Sequence, residues 1–171
     1  MKIMVASDIH GSVGCARAVI DKFNEIKADK LLLLGDLLYH GPRNNLPSDY
    51  APKEVIELLN ANKENILAVR GNCDTEVDQM VLQFPIMAEY IYITSADTVI
   101  FATHGHHYGE ANPPVFLPKG AILLTGHTHV ACDVNKDGFR YMNPGSPSIP
   151  KEGTKPSYIV IEDGKAELIA F

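Results

Sequence analysis

The sequence predicts an α/β protein in which two β-sheets pack face to face and helices flank them. Three observations carry this expectation. In the first half, short apolar runs alternate with amphipathic helical stretches, the pattern of parallel βαβ units. In the second half, short strands joined by hairpin turns dominate. Small clusters of Asp, His, Gly and Asn stand just beyond the ends of several strand-like runs.

Residues 2–6 read as the first strand. After Gly11, the side chains Ala16, Val19, Ile20, Phe23 and Ile26 recur at helical spacing, and Leu31-Leu32-Leu33-Leu34 then runs apolar up to Gly35-Asp36. A short run without polar alternation, following a helix, fits a parallel strand buried on both faces. The unit repeats: Pro52 opens a helix carrying Val55, Ile56, Leu58 and Leu59, and residues 65–69 form the next strand. A short helix is expected over 75–82. Strands are expected at 88–93, 98–103, 121–124, 130–134, 138–142, 157–161 and 165–170. Asn135-Lys136-Asp137-Gly138 and Glu162-Asp163-Gly164 serve as hairpin turns. This half should be mostly antiparallel. Two long loops, 38–52 and 105–120, are rich in Gly, Pro and Asn or His, and each begins beside a polar cluster, so both are expected to contact substrate.

The chain has 171 residues, which fits one domain spanning 1–171 with a sizeable core. A net charge of −6 disfavours nucleic acid and anionic membrane as partners. The few apolar residues before Asp8 do not make a signal-peptide core, and no run approaches the roughly 20 apolar residues of a membrane span. A cytoplasmic protein is expected. Cys15, Cys73 and Cys132 lack zinc-finger spacing and read as free thiols in a reducing compartment.

The clusters carry the chemistry. Asp8 and His10 alternate around Ile9, so at a strand end both side chains can face the same way. Asp36 ends a run of four leucines, where a buried carboxylate needs a partner such as a shared cation; a turn or cap aspartate is the plainer alternative. Gly71-Asn72 offers a neutral amide oxygen, or simply a turn. Asp74 precedes a helical stretch and reads as its cap. Five of the seven histidines lie in His104-Gly105-His106-His107 and Gly126-His127-Thr128-His129, and His127 and His129 repeat the alternation of Asp8 and His10. Together these clusters point to metal-assisted hydrolysis of a phosphate ester.

Asp8-x-His10, Gly35-Asp36, Gly71-Asn72, His104-Gly105-His106 and Gly126-His127-x-His129 resemble, in order and spacing, the signature of calcineurin-like metallophosphoesterases. Gly71-Asn72-Cys73-Asp74, Gly41-Pro42-Arg43-Asn44 and Asn143-Pro144-Gly145-Ser146 further resemble the small bacterial YfcE-type phosphodiesterases. The resemblance implies a four-layer α/β/β/α sandwich of two mixed sheets and a site for two divalent metal ions. Asp8, His10, Asp36 and His129 would hold one metal, and Asp36, Asn72, His104 and His127 the other, with Asp36 bridging. Oxygen and nitrogen ligands suit Mn²⁺, Fe, Zn or Ni, and family behaviour favours Mn²⁺. The implied reaction is attack of metal-activated hydroxide on a small phosphodiester, with Asp36, Asn72, His10 and Cys73 as catalytic residues.

One departure stands out. Many relatives carry histidine after the Gly-Asn asparagine, where it can protonate the leaving group, and this chain has Cys73. A thiol near pKa ~8.5 is a weaker general acid at neutral pH than an imidazole near ~6.5. His10, His40, His106 or water could take that role, or Cys73 could be a small filler. Asn143 could contact phosphate or shape the Pro144-Gly145 turn. Two further readings are a phosphomonoesterase or protein phosphatase using the same metals, and a noncatalytic protein-interaction scaffold, because one eukaryotic sorting-complex subunit resembles this fold. Tyr50, Met80 and Phe84 either pack in the core or form a homodimer surface.

Overall fold

The first apolar segments assemble in the expected order. A computed structural model covering residues 1–171 places β1 (Ile3–Ala6), α1 (Val13–Glu25), β2 (Lys30–Leu33), α2 (Pro52–Ala61), β3 (Ile66–Ala68) and α3 (Glu76–Val81) in sequence. The chain continues through β4 (Tyr90–Ser95), β5 (Thr98–Thr103), β6 (Ala121–Leu124), β7 (Cys132–Lys136), β8 (Phe139–Asn143), β9 (Ser157–Glu162) and β10 (Lys165–Ala170). One sheet has the order β10-β9-β1-β2-β3 and the other β4-β5-β6-β8-β7.

Alternation within single strands explains the stacking. Met4, Ala6, Leu31 and Leu33 point toward the helices, packing with Val19, Phe23, Val55 and Leu59. Their neighbours Ile3, Val5, Leu32 and Leu34 point the other way and meet Ile100, Ala102, Ile122, Leu124 and Met142 of the second sheet. All four leucines of the run are fully buried. Each contributes on the order of 1.5–3 kcal/mol of transfer free energy. On the far face of the second sheet, Phe101, Leu123 and Tyr141 are covered by Tyr108 and Leu117, so the loop after β5 supplies the outer layer there.

The second half is less uniformly antiparallel than its turns suggest. The hairpins β4-β5, β7-β8 and β9-β10 are antiparallel, but β6 pairs parallel with both β5 and β8. The loop 105–120 works as a crossover between β5 and β6, which hairpin signals alone do not reveal. As a result the C-terminal ends of β1, β2 and β3 and those of β5, β6 and β8 all face one edge of the sandwich. Strand β10 and its partner β9 close the opposite flank of the first sheet.

Of the apolar residues considered for self-association, Phe84 is buried in the core and Tyr50 is partly buried, whereas Met80 is 84% exposed. The core explanation therefore holds for Phe84 but not for Met80. No helix is long and apolar enough to cross a membrane.

Candidate metal centre

The polar clusters do not sit on strands. β1 ends at Ala6, and Asp8 and His10 lie beyond it at φ 56° and 50°; Asp36, His127 and His129 likewise have φ 54°, 65° and 62°. Strand alternation was therefore the wrong reason for their convergence. Left-handed turns after the strands aim these side chains inward, a conformation that costs a non-glycine residue about 1–2 kcal/mol each and is tolerated where the surroundings hold it.

Those surroundings are specific. The Asp8 carbonyl accepts hydrogen bonds from Ser146 Oγ (2.7 Å) and Ser148 Oγ (3.0 Å), and Asp8 Oδ2 accepts from Ser7 Oγ (2.6 Å) and the His127 amide (2.9 Å). The glycines are steric requirements: a Cβ at Gly126 would overlap Ser7 Oγ, and one at Gly71 would overlap Asp36 Oδ1. Asn143 shapes the turn and does not reach for substrate. It is fully buried, its Oδ1 accepts from the Gly145 amide (2.8 Å), and its Nδ2 donates to the Gly126 carbonyl (2.7 Å) and Thr128 Oγ1 (3.1 Å).

Three histidines share one arrangement. His10 Nδ1 lies 2.7 Å from the Tyr39 carbonyl, His104 Nδ1 2.7 Å from the Leu34 carbonyl, and His129 Nδ1 2.9 Å from the Ile149 carbonyl. Each Nδ1–H is donated to backbone, which turns the Nε2 lone pair into the site. There, His10 Nε2 and His129 Nε2 face each other at 3.1 Å, and His104 Nε2 faces Asn72 Oδ1 at 3.0 Å. Asp8 Oδ1 is buried without a hydrogen-bond partner, 3.5 Å from His10 Nε2 and 3.3 Å from His129 Nε2. Asp36 Oδ2 lies between two rings, 3.8 Å from His10 and 3.5 Å from His104. Lone pairs so opposed repel unless a proton or cation lies between them, and the donor set of carboxylate, imidazole and amide oxygen fits divalent metal ions.

Two clusters result, one of Asp8, His10 and His129 and one of Asp8, Asp36 and His104, with ligand atoms within 4.8 Å of one another. Asn72 joins the second through His104. His127 stands slightly apart: its ring is 5.1 Å from that of His104, and it lines the same cavity. Cys73 is also close, because His10, Asp36 and Cys73 form a third such group.

The carboxylates and imidazoles shift one another. Burial pushes Asp8 and Asp36 upward, but the histidines around Asp8, and His104 beside Asp36, more than offset it and leave both lowered. Burial pulls His104 downward, yet the Asp36 and Asp8 carboxylates raise it to about 9. Burial and then Asp36 push the Cys73 thiol up to about 12. Burial and then His104 push His106 down to about 4.

Asp74 is the functional residue that the sequence reading misplaced. Thr75 caps α3, in a capping box with Asp78. Asp74 is instead buried at 1% exposure and accepts hydrogen bonds from the Asp36 amide (2.8 Å), the Leu37 amide (2.9 Å) and the Gly71 amide (2.8 Å). It ties the loops after β2 and β3 together and holds Asp36 in place. The signal was present, since Thr75-x-x-Asp78 already fills the cap and leaves Asp74 free. Around these candidate ligands, a cavity of about 370 Å³ is lined by Gly41, Pro42, Arg43, Asn44, Thr128 and Lys151. The loop 38–52 thus borders the site as expected, while Lys151 carried no sequence signal.

The family model of the calcineurin-like phosphoesterase superfamily domain matches residues 1–165. The chain belongs to this superfamily. It is 45% identical over 170 residues to the phosphodiesterase YfcE of Escherichia coli, covering 99% of this chain and 92% of that protein. The solved structure of the E. coli phosphoesterase superposes with a TM-score of 0.95, covering 99% of this chain and 93% of that one. A phosphodiesterase of Methanocaldococcus jannaschii is 28% identical over 151 residues, or 85% of this chain and 83% of that protein. Vps29 of Cryptosporidium parvum, 19% identical with a TM-score of 0.58 over 98% of this chain and 95% of that one, shares the fold. Divalent metal ions follow from the family.

Metal uptake should be proton-linked. Imidazole ligates only when neutral, and in the metal-free protein His104 keeps its proton from its ordinary value of 6.5 up to about 9. Mn²⁺ titrated calorimetrically at pH 8, in buffers of differing ionisation enthalpy, should release protons, and affinity should rise with pH across that window. A pH-independent affinity without proton release would contradict this ligand assignment.

Proposed function

We propose that residues 1–171 form one domain that hydrolyses small phosphodiesters with two divalent metal ions, Mn²⁺ being the first choice, in the cytoplasm. The observation that carries this reading is the convergence of ligand atoms from Asp8, His10, His129, Asp36, Asn72 and His104 at one edge of the sandwich. Asp8, His10, Asp36 and His129 would hold one ion, and Asp36, Asn72, His104 and His127 the other. When bound, the ions supply Lewis acidity to the phosphate and acidify the water that attacks phosphorus. The position of Asp36 between His10 and His104 supports its reading as the ligand that would be shared. The Cys73 amide donates to Asp36 Oδ1 (2.8 Å), which fixes that carboxylate's orientation. Similarity to YfcE, a phosphodiesterase by name, supports the diester over the monoester.

Arg43 and Lys151 stand at the cavity rim, where their charge draws an anionic substrate despite the net negative charge of the chain. Leaving-group protonation is the weak point of the machinery. Cys73 occupies the position where an imidazole acid would stand, and its thiol, pushed up to about 12, is a poor donor. The site therefore suits diesters, whose single charge needs less neutralisation, and alcohols that leave without help.

With chelated protein and Mn²⁺ restored, bis(p-nitrophenyl) phosphate should be cleaved faster than p-nitrophenyl phosphate. Asp36→Asn should lower kcat/KM on the order of 10³-fold or more, since it removes the bridging charge. Preference for the monoester would shift the reading to a phosphatase, and inactivity with every divalent ion would favour the scaffold. Separately, Cys73→His should raise kcat on diesters of poorly leaving alcohols by ~10–100-fold, within the range of general acid catalysis. An unchanged or lower rate would show that the leaving group is protonated elsewhere.

A further inference from the structure

Beside the metal centre runs a second cavity of different character. It has a volume of about 360 Å³ and is walled by Leu38, Tyr39, Tyr50, Ile56, Val77 and Val81. One side is aromatic: the His40 ring stands edge-on to Tyr39 at 4.8 Å and to Tyr50 at 5.4 Å. The other side is aliphatic and comes from α2 and α3. Helix α3 has no buried residue, and Val77 is 68% and Val81 43% exposed, as is Tyr39 at 42%. Apolar side chains from three elements thus share one exposed concave patch, a pattern typical of binding surfaces.

Its position says what binds there. Cys73 lines both this groove and the cavity of the metal centre, so the two adjoin at this side chain. The metal cavity is otherwise polar and takes Arg43, Asn44 and Lys151 into its lining. A phosphodiester seated at the metals therefore meets a polar lining and, past Cys73, a largely apolar groove. Resting on the phosphodiesterase reading above, we propose that the groove receives the leaving alcohol of the diester, and that this alcohol is aromatic or branched and apolar. The chemistry agrees with the geometry. Cys73, which stands where relatives carry an imidazole, lines this groove, and an aryl alcohol is acidic enough to depart as its anion. In the balanced step, water oxygen forms the new bond to phosphorus, the phosphorus–oxygen bond to the aryl alcohol breaks, the aryloxide leaves into the groove, and of the two water protons one stays on the monoester product and the other passes to solvent. The polar rim of the groove is Lys53, Thr75 and Asp78, and Asp78 accepts from the Thr75 amide (2.7 Å) and hydroxyl (2.9 Å).

The test is a Val77→Ser/Val81→Ser variant, at positions exposed enough that folding should survive. For bis(p-nitrophenyl) phosphate, KM should rise roughly three- to tenfold, the loss expected from removing part of one apolar wall, while kcat stays within about twofold. Val77→Ile should keep the wild-type KM. A binding measurement separates this proposal from the catalytic one. In Mg²⁺-loaded protein, phenylphosphonate should shift the Val77 and Val81 methyl resonances, and methylphosphonate should leave them in place. That result would stand even if the wild-type protein cleaved no diester. Equal shifts with both phosphonates, or an unchanged KM in the variant, would overturn the groove assignment. So would conversion of a wild-type dimer to a monomer in the variant with KM unchanged, which would make the patch a self-association surface.

Discussion

Lone pairs forced to face one another inside the protein are the constraint on which this structure turns. Three imidazoles give their Nδ1 protons to backbone carbonyls, and so turn their Nε2 atoms toward Asp8, Asp36, Asn72 and each other. Buried acceptors in mutual contact are costly, and Asp8 Oδ1 has no donor at all. Nothing in the hydrophobic core requires this arrangement. It is worth maintaining only if a cation regularly occupies the space.

The rest of the architecture keeps that arrangement from relaxing. The inter-sheet core fixes β1, β2 and β3 against β5, β6 and β8, so that turns from both sheets meet at one edge. Left-handed residues, glycines without room for a Cβ, and the buried Asp74 and Asn143 then lock the turns. Each of these features costs conformational freedom, and the large apolar core offsets that cost.

Most of the fold was legible because its signals are local. The all-buried leucine run, the proline at the start of α2 and the Asp-Gly hairpins each follow from short-range patterning. The parallel pairing of β6 with β5 and β8 was not legible, because it depends on long-range closure by a loop. At the site, the ligand residue types were readable while the reason for their convergence was not. Alternation suggested strand-borne ligands, whereas positive φ angles at Asp8, His10 and His127 place them in turns. Asp74 was masked by a competing local role, and Lys151 reaches the cavity only through tertiary folding. The exposed side of α3 was likewise invisible, since Val77 and Val81 look like core residues until their surroundings are known.

A thiol stands beside Asp36, at the place where a polar cavity and a largely apolar groove adjoin. Two cations are the proposed occupants of the space that these ligand atoms enclose. The most direct test is diffraction from crystals grown with Mn²⁺, recorded at the manganese absorption edge. Two anomalous peaks are expected, one beside Asp8, His10 and His129 and one beside Asn72 and His104, with Asp36 touching both. A single peak, or peaks away from these residues, would contradict the account.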